Sequence, residues 1–227
     1  MQSIKTITIC LLTFGIAGAN IINVPSDHAT IQAGIDAAVS GDTVLVAEGE
    51  YKESIYFMSK KITVASHFVL DQDTTHISNT IISGPVEPDA TNGSIVHFVN
   101  GETNESVLMG FTLSDGIGSS IGTGKRGGGA IVIDGASPRI CYNTIKNNTV
   151  NNSGTNYAAG GGICLTMSSH KEFTIIDHNM IELNKISSSK STVYGGGILD
   201  RNTDAPSPWL TEIQGYLIRS CAFLFHS

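Results

Sequence analysis

Charged side chains are scarce in this chain: they make up 15% of its 227 residues, and the 13 Lys and Arg are scattered rather than gathered into a stripe. Binding to nucleic acid by neutralising phosphates needs such a stripe, so that function class is excluded, and the net charge of -7 points the same way. Proline is rare, with 6 residues, and there is a single Trp. No stretch repeats apolar residues at i, i+3, i+4 and i+7 over ten or more positions, which excludes a helical repeat or bundle. No apolar run is long enough to span a bilayer, so no transmembrane span is expected in the mature chain. Cysteine is also sparse. Of the 4 present, Cys10 lies in a leader-like segment, and Cys141, Cys164 and Cys221 have no regular spacing. That count fits neither a disulfide framework nor a zinc site; Cys141 and Cys164 could pair with each other, but thiols buried in strands are the simpler reading.

What the chain does have is Gly, Ile, Val, Asn, Ser and Thr, with 25 Gly in all. Short apolar runs of four to six residues are bounded by Gly, Asn, Ser and Asp, the pattern of strands joined by tight turns. The first twenty residues, MQSIKTITICLLTFGIAGAN, differ. Lys5 supplies a positive start, residues 7–16 a short apolar core, and Ala17-Gly18-Ala19 a small-residue cleavage pattern. A signal peptide over 1–19, cleaved after Ala19, is expected, and with it a secreted or cell-surface protein.

The next signal is internal repetition. "GGG" opens at 127, 160 and 195, each time before an apolar run. Residues 142–148 (YNTIKNN) and 178–184 (HNMIELN) share x-N-x-I-x-x-N, which aligns Asn143 with Asn179, Ile145 with Ile181 and Asn148 with Asn184 at an offset of 36. Short strands repeating at this period describe a solenoid whose units are stable only when stacked. Here that means an all-β, parallel β-helix. Asparagines one coil apart would sit at about the 4.8 Å strand spacing and bond along a ladder, while Gly and Asn would supply the positive φ of the corners. Weaker coils run upstream through 42–57, 60–66, 79–84, 94–101 and 105–116, giving about six coils. Polar loops are expected at 67–78, 85–93, 117–126, 149–158 and 185–194. Residues 29–42 (ATIQAGIDAAVSGD) predict a short capping helix, with Thr30 as N-cap, Ile31, Ile35 and Ala38 on one face and Gly41 ending it. The β-helix domain is placed at 20–205. The repeat stops after Asp200, so residues 206–227 form an atypical tail, either a cap or a truncated coil.

On these segments, and on VPSDHATIQAGIDAAVSGDTVLVAEGEYKESI, KKITVAS, TIISG, SVLMGFTLSDG and GGGAIVIDGASPRICYNTIKNN, the chain resembles exported bacterial right-handed parallel β-helix proteins of the pectin-lyase-like superfamily. Its GGG-[AI] and I-x-x-N elements also resemble the GGAI and FxxN repeats of polymorphic outer-membrane proteins, with Ile145 and Ile181 in place of Phe. The resemblance covers residues 23 to about 202. It implies fold and export more than activity, because fold does not dictate function. Pectate lyases of the superfamily carry a W-I-D-H segment whose aspartate binds calcium. Residues 175–178 (IIDH) resemble it, and the resemblance implies a metal role for Asp177 and a catalytic role for Asp177 and His178. Such a lyase also needs a base, often Arg, and repeat alignment of Cys141 with Asp177 puts Arg139 about one coil away as the candidate. The accompanying R-x-P-x-x-R element is absent. So are the clustered aspartates and Gly-His-Gly element of hydrolases on this fold.

The residues themselves offer two readings of each candidate. Asp177 and His178 precede the Asn179 corner as Cys141 and Tyr142 precede Asn143, so they are either scaffold or a site grafted onto it. Asp200-Arg201 interrupts an apolar pattern, since Asp200 aligns with Val132 and Leu165; Asp134, aligned with Met167, reads as the end of a strand. GTGKRGGG (122–129) lacks the phosphate-loop spacing and opens a strand rather than a helix. Tyr51, Tyr56, Phe57, Tyr142 and Tyr157 can pack in the coils or stack on sugars. The expectation is therefore an exported scaffold that binds polysaccharide or a cell-surface glycan without catalysis and without a cofactor. The alternative is a polysaccharide lyase or hydrolase acting on acidic polysaccharide, with calcium as cofactor in the lyase case.

Overall fold

The computed structural model describes residues 18–85, 91–152, 157–166, 173–188, 192–200, 212–214, 217–219 and 222–225. Residues 1–17 of the expected signal peptide, with Cys10, and Arg201, Cys221 and most of the tail lie outside the described residues. The chain winds into an all-β, right-handed parallel β-helix. Three parallel faces run its length. Face 1 stacks Ile21–Val24, Thr43–Val46, Thr63–Ser66, Val107–Met109, Arg139–Cys141, Ile175–Asp177 and Glu212–Gln214 in that order. Face 2 stacks Gly49–Lys52, Thr80–Ser83, Thr112–Ser114, Thr144–Lys146, Met180–Glu182 and Leu217–Arg219. Face 3 stacks Ile55–Tyr56, Val96–Phe98, Ile131–Asp134, Ile163–Thr166 and Ile198–Asp200.

Counted on face 3, whose five strands span four steps, the solenoid makes about four turns rather than six. Short apolar runs overcount coils because each turn spends one run on every face. KKITVAS and NTIISG, for example, are two sides of the same coil, followed on the third side by Val96–Phe98. The backbone of the tail continues the stack without the repeat motif. Glu212–Gln214 pairs with Ile175–Asp177, Leu217–Arg219 with Met180–Glu182, and Ala222–Phe225 with Lys185–Ser188.

Alternation along each short strand explains the core. The central residue points inward, so face 1 stacks Val44, Val64, Leu108, Ile140 and Ile176 in register, all fully buried. Face 2 contributes Ile82, Leu113, Ile145 and Ile181 in the same way. Burying each such side chain is worth roughly 1.5–3 kcal/mol, and because like sits on like, one coil's shape is a template for the next. Helix α1, Ile31–Ala37, packs Ile31 and Ile35 into this core, with Ala38 just behind. Thr30 caps it by accepting from the Ala33 N–H. The helix stops at Ala38, which is extended and donates to Gly34 and Ile35 carbonyls; Gly41, expected as the stop, serves the following turn at φ +99.

Several expected loops are ordered elements. Residues 67–79 form two short helices, α2 (Phe68–Asp71) and α3 (Thr75–Asn79). Residues 149–152 and 185–188 are parallel strands of a further sheet. Residues 118–120 and 126–127 join another, with Ala158–Ala159 and Val193–Tyr194. Their polar composition hid them, although Val150, Ala158 and Ile186 bury a small second apolar cluster.

Register at the glycine triplets is shifted by one in the first coil. Gly128, Gly160 and Gly195 are equivalent, each with φ near +60, and Ile131, Ile163 and Ile198 pair across the three coils. Asp200 therefore pairs with Leu165, as expected, but Leu165 pairs with Ile133 rather than Val132, and Asp134 pairs with Thr166 rather than Met167.

Candidate functional site

The corner between faces 1 and 2 is built by asparagine. Asn143 and Asn179 are buried and linked one above the other. Asn179 Oδ1 accepts from the Asn143 backbone N–H at 2.9 Å and from Asn143 Nδ2 at 3.1 Å. Its own Nδ2 donates to the carbonyls of Ile140 and Asp177. Asn148 and Asn184 repeat the arrangement at the next corner, at 3.0 and 2.9 Å. Each amide thus satisfies backbone groups of two coils that a turn would leave bare.

The asparagines do not themselves take the positive φ expected of them. That conformation falls on the residue before: Tyr142 (φ 56) and His178 (φ 54) at the first corner, Asn147 (φ 58) and Leu183 (φ 55) at the second. An αL residue throws its side chain outward. Tyr142 and His178 accordingly stand on the outside as a column, their rings parallel to within 14° at 4.8 Å. Gly110 holds the same place one coil earlier (φ 84), and a Cβ there would lie 3.0 Å from Phe68. The missing side chain makes room for Phe68 of α2, whose ring meets Tyr142 at 5.1 Å. Phe68 was not among the sequence candidates. It lies in an excursion outside the repeat, and the glycine facing it was the one available signal.

The candidates Arg139, Asp177 and His178 come together beside this column. Met109, Cys141 and Asp177 occupy one position in successive coils of face 1, so a carboxylate stands where the two preceding coils put Met and Cys. Arg139, at the start of the strand below, donates from Nη2 to Asp177 Oδ2 at 3.1 Å, and His178 Nδ1 lies 3.3 Å from the same oxygen. The carboxylate side chain is 12% exposed, against 43% for the guanidinium and 54% for the imidazole. Asp177 Oδ1 and Arg139 Nε are buried without a protein partner. A carboxylate so placed costs stability compared with an apolar side chain of similar size, which marks Asp177 as a departure from scaffold logic.

The electrostatics are directional. The hydrogen bond to Asp177, before its charge, holds Arg139 even more firmly protonated, the opposite of what base chemistry at Arg139 requires. Burial first, and then the Asp177 charge, push the Cys141 thiol up to about 11, so it is no nucleophile at neutral pH. Asp200 stands exposed on face 3, away from this cluster in the fold, and Arg201 lies outside the described residues. Among the described residues no three His, Cys, Asp or Glu side chains converge as metal ligands. A calcium ion at Asp177 would compete with Arg139 for Oδ2.

Other aromatic pairs line the solenoid. Tyr56 stacks on the buried His97 at 4.2 Å, and Tyr157 meets Tyr194 edge-on with Lys125 Nζ 5.2 Å above the Tyr157 ring. Tyr51 and Phe57 pack in the core. Cys141 and Cys164 form no disulfide and are buried, as expected. No helix of the described residues is long and apolar enough to cross a membrane, which says nothing of crossing with strands. No family model matches the chain, and neither a curated protein nor a solved structure matches it.

Proposed function

We propose that the chain is an exported β-helix scaffold, secreted or held at the cell surface, that binds a glycan on its outer face without catalysis. The observation that supports this is the outward Tyr142–His178 stack, backed from beneath by the buried ring of Phe68. Rings held on a stacked backbone form an apolar strip with polar edges, the surface to which a sugar's C–H face and hydroxyls are complementary. The half-exposed Arg139 beside it adds fixed donors. Rigidity contributes as well, because rings that are ordered before binding lose little entropy on binding. The targeting segment supports export, and the Arg139–Asp177 pair supports binding over proton abstraction.

A glycan array followed by affinity electrophoresis tests this reading. Binding that weakens about tenfold or more when Tyr142 and His178 are both replaced by Gly is expected, from the loss of about 1–3 kcal/mol of ring stacking. Gly tolerates the positive φ at both positions, so the variant keeps its corners. Release of unsaturated uronate products from polygalacturonate or alginate in the presence of calcium would overturn the non-catalytic reading in favour of a polysaccharide lyase, with Asp177 as metal ligand and Arg139 and His178 beside it.

A further inference from the structure

The excursion 67–79 leaves the solenoid after Thr63–Ser66 and returns at Thr80–Ser83. It carries Phe68 to the aromatic column, yet its two helices have four and five residues, too short to hold themselves. Its attachments are few. Ser66 Oγ accepts from the Phe68 N–H, and Thr112 Oγ1 donates to the Ile77 carbonyl at 2.8 Å. Besides the buried ring of Phe68 against Tyr142, the remaining polar tie among the described residues is His76. Its Nδ1 lies 2.8 Å from Glu48 Oε1, on the turn between Thr43–Val46 and Gly49–Lys52, and its Nε2 lies 3.3 Å from Asp71 Oδ2, at the end of α2.

The chemistry of that pair of contacts is restrictive. An ionised carboxylate only accepts, and a neutral imidazole has one N–H. Both contacts are hydrogen bonds only when His76 carries both protons. We propose that His76, as imidazolium, is a pH-sensitive clasp that ties the 67–79 excursion, and with it Phe68, to Glu48 on the solenoid. Loss of the proton leaves one ring nitrogen facing a carboxylate lone pair to lone pair. The excursion then loosens and Phe68 is no longer held on Tyr142. The clasp stands on its own geometry, whether or not the column binds a glycan.

The groups facing His76 are Glu48 from the coil, Asp71 from α2, Asp73 from the turn between the helices, and His67, whose ring sits edge-on at 5.7 Å. Face 2 meets the excursion through the uncharged Thr112. Three acids against one other imidazole favour the charged form. The Glu48 hydrogen bond, then that of Asp71, raise the His76 pKa above its ordinary value, so the clasp is complete below that value and is lost as pH rises through the higher, folded one. At the acid end it fails as the carboxylates take up protons. Asp71, whose pKa is lowered first by the Asp73 N–H, holds its charge to lower pH than an ordinary aspartate. The clasp is therefore closed in mild acid and open in alkali.

The test follows the His76 ring signal by NMR and the hydrogen exchange of residues 67–79 across about pH 5 to 9, with protection factors corrected for the intrinsic effect of pH. The expected result is a His76 midpoint above about 6.5 and protection of 67–79 that falls roughly tenfold or more across it, while amides of Arg139–Cys141 stay protected. His76→Gln and Glu48→Gln should each flatten that pH dependence, and His67→Gln should leave it. Glu48 is exposed, so its variant reports even if His76→Gln fails to fold. A midpoint at or below 6.5, or a pH dependence that survives Glu48→Gln, overturns the clasp.

Discussion

At the scale of single residues, the corners show which positions are scaffold and which are departures. Leu183 is exposed and sits at φ 55, where the equivalent residue one coil earlier is Asn147 at φ 58. A γ-branched side chain gains nothing from this conformation, whereas Asn tolerates it. Leu183→Asn should therefore stabilise the chain by about 0.5–1 kcal/mol, read as a rise in the thermal midpoint. Tyr142 and His178 bear the same strain but put it to use by stacking outside the coil. Sequence comparison aligned these residues correctly and marked Asp177 as unlike Cys141. It placed the positive φ on the wrong neighbour because Asn is the residue best known for that conformation, and only the hydrogen bonds show that the Asn side chains are turned inward instead.

At the scale of elements, the corners and glycine entries are where the stack is least forgiving. Asn148 Oδ1 accepts from the Gly116 N–H, and Nδ2 donates to Leu113 and Lys146 carbonyls. Asn148→Leu strands those groups in a dry corner. It should cost about 3 kcal/mol or more, measured by urea unfolding. Gly129 has a different constraint. A Cβ there would fall 1.9 Å from the Gly161 carbonyl oxygen, while at Gly101 the nearest atom, a Gly135 oxygen, is 3.9 Å away and φ is +76. Gly101→Ala should thus cost only about 1 kcal/mol of backbone strain, and Gly129→Ala should exceed about 3 kcal/mol or abolish soluble expression. Paired thermal melts decide it. The triplets are legible in the sequence as turns, but their stricter role, letting backbone lie against backbone between coils, is not.

At the scale of the whole molecule, two histidines give stability opposite pH slopes. His97 is buried against Tyr56, with Nε2 on the Ser94 carbonyl. Desolvation lowers its pKa from 6.5 to about 4. Between those values the unfolded chain binds a proton that the native one refuses, so stability falls as pH drops through that window and levels off below it. The loss is about 3 kcal/mol at 1.36 kcal/mol per unit. His97→Phe keeps the stacking and removes the titration; the difference in unfolding free energy between the two proteins should change over that window and nowhere above it. His76, raised rather than lowered, adds stability locally at mildly acidic pH and loses it above.

Repetition in the sequence dictates the architecture. Apolar runs too short for helices, recurring with Gly and Asn at a fixed period, have one economical solution, and the offset of 36 between Asn143 and Asn179 is the observed stacking register. The local rules that give a coil its shape are written in each repeat, so the sequence determined them. Contacts between a repeat and what interrupts it are not periodic and leave no such trace. Repeat alignment sets Arg139 about one coil from Asp177, and the structure closes that pair; tertiary structure alone brought Phe68 over Gly110 onto Tyr142 and placed His76 between Glu48 and Asp71. In each case the partners are far apart along the chain or differ from coil to coil. Stacking decides which side chains meet only after the coils have closed.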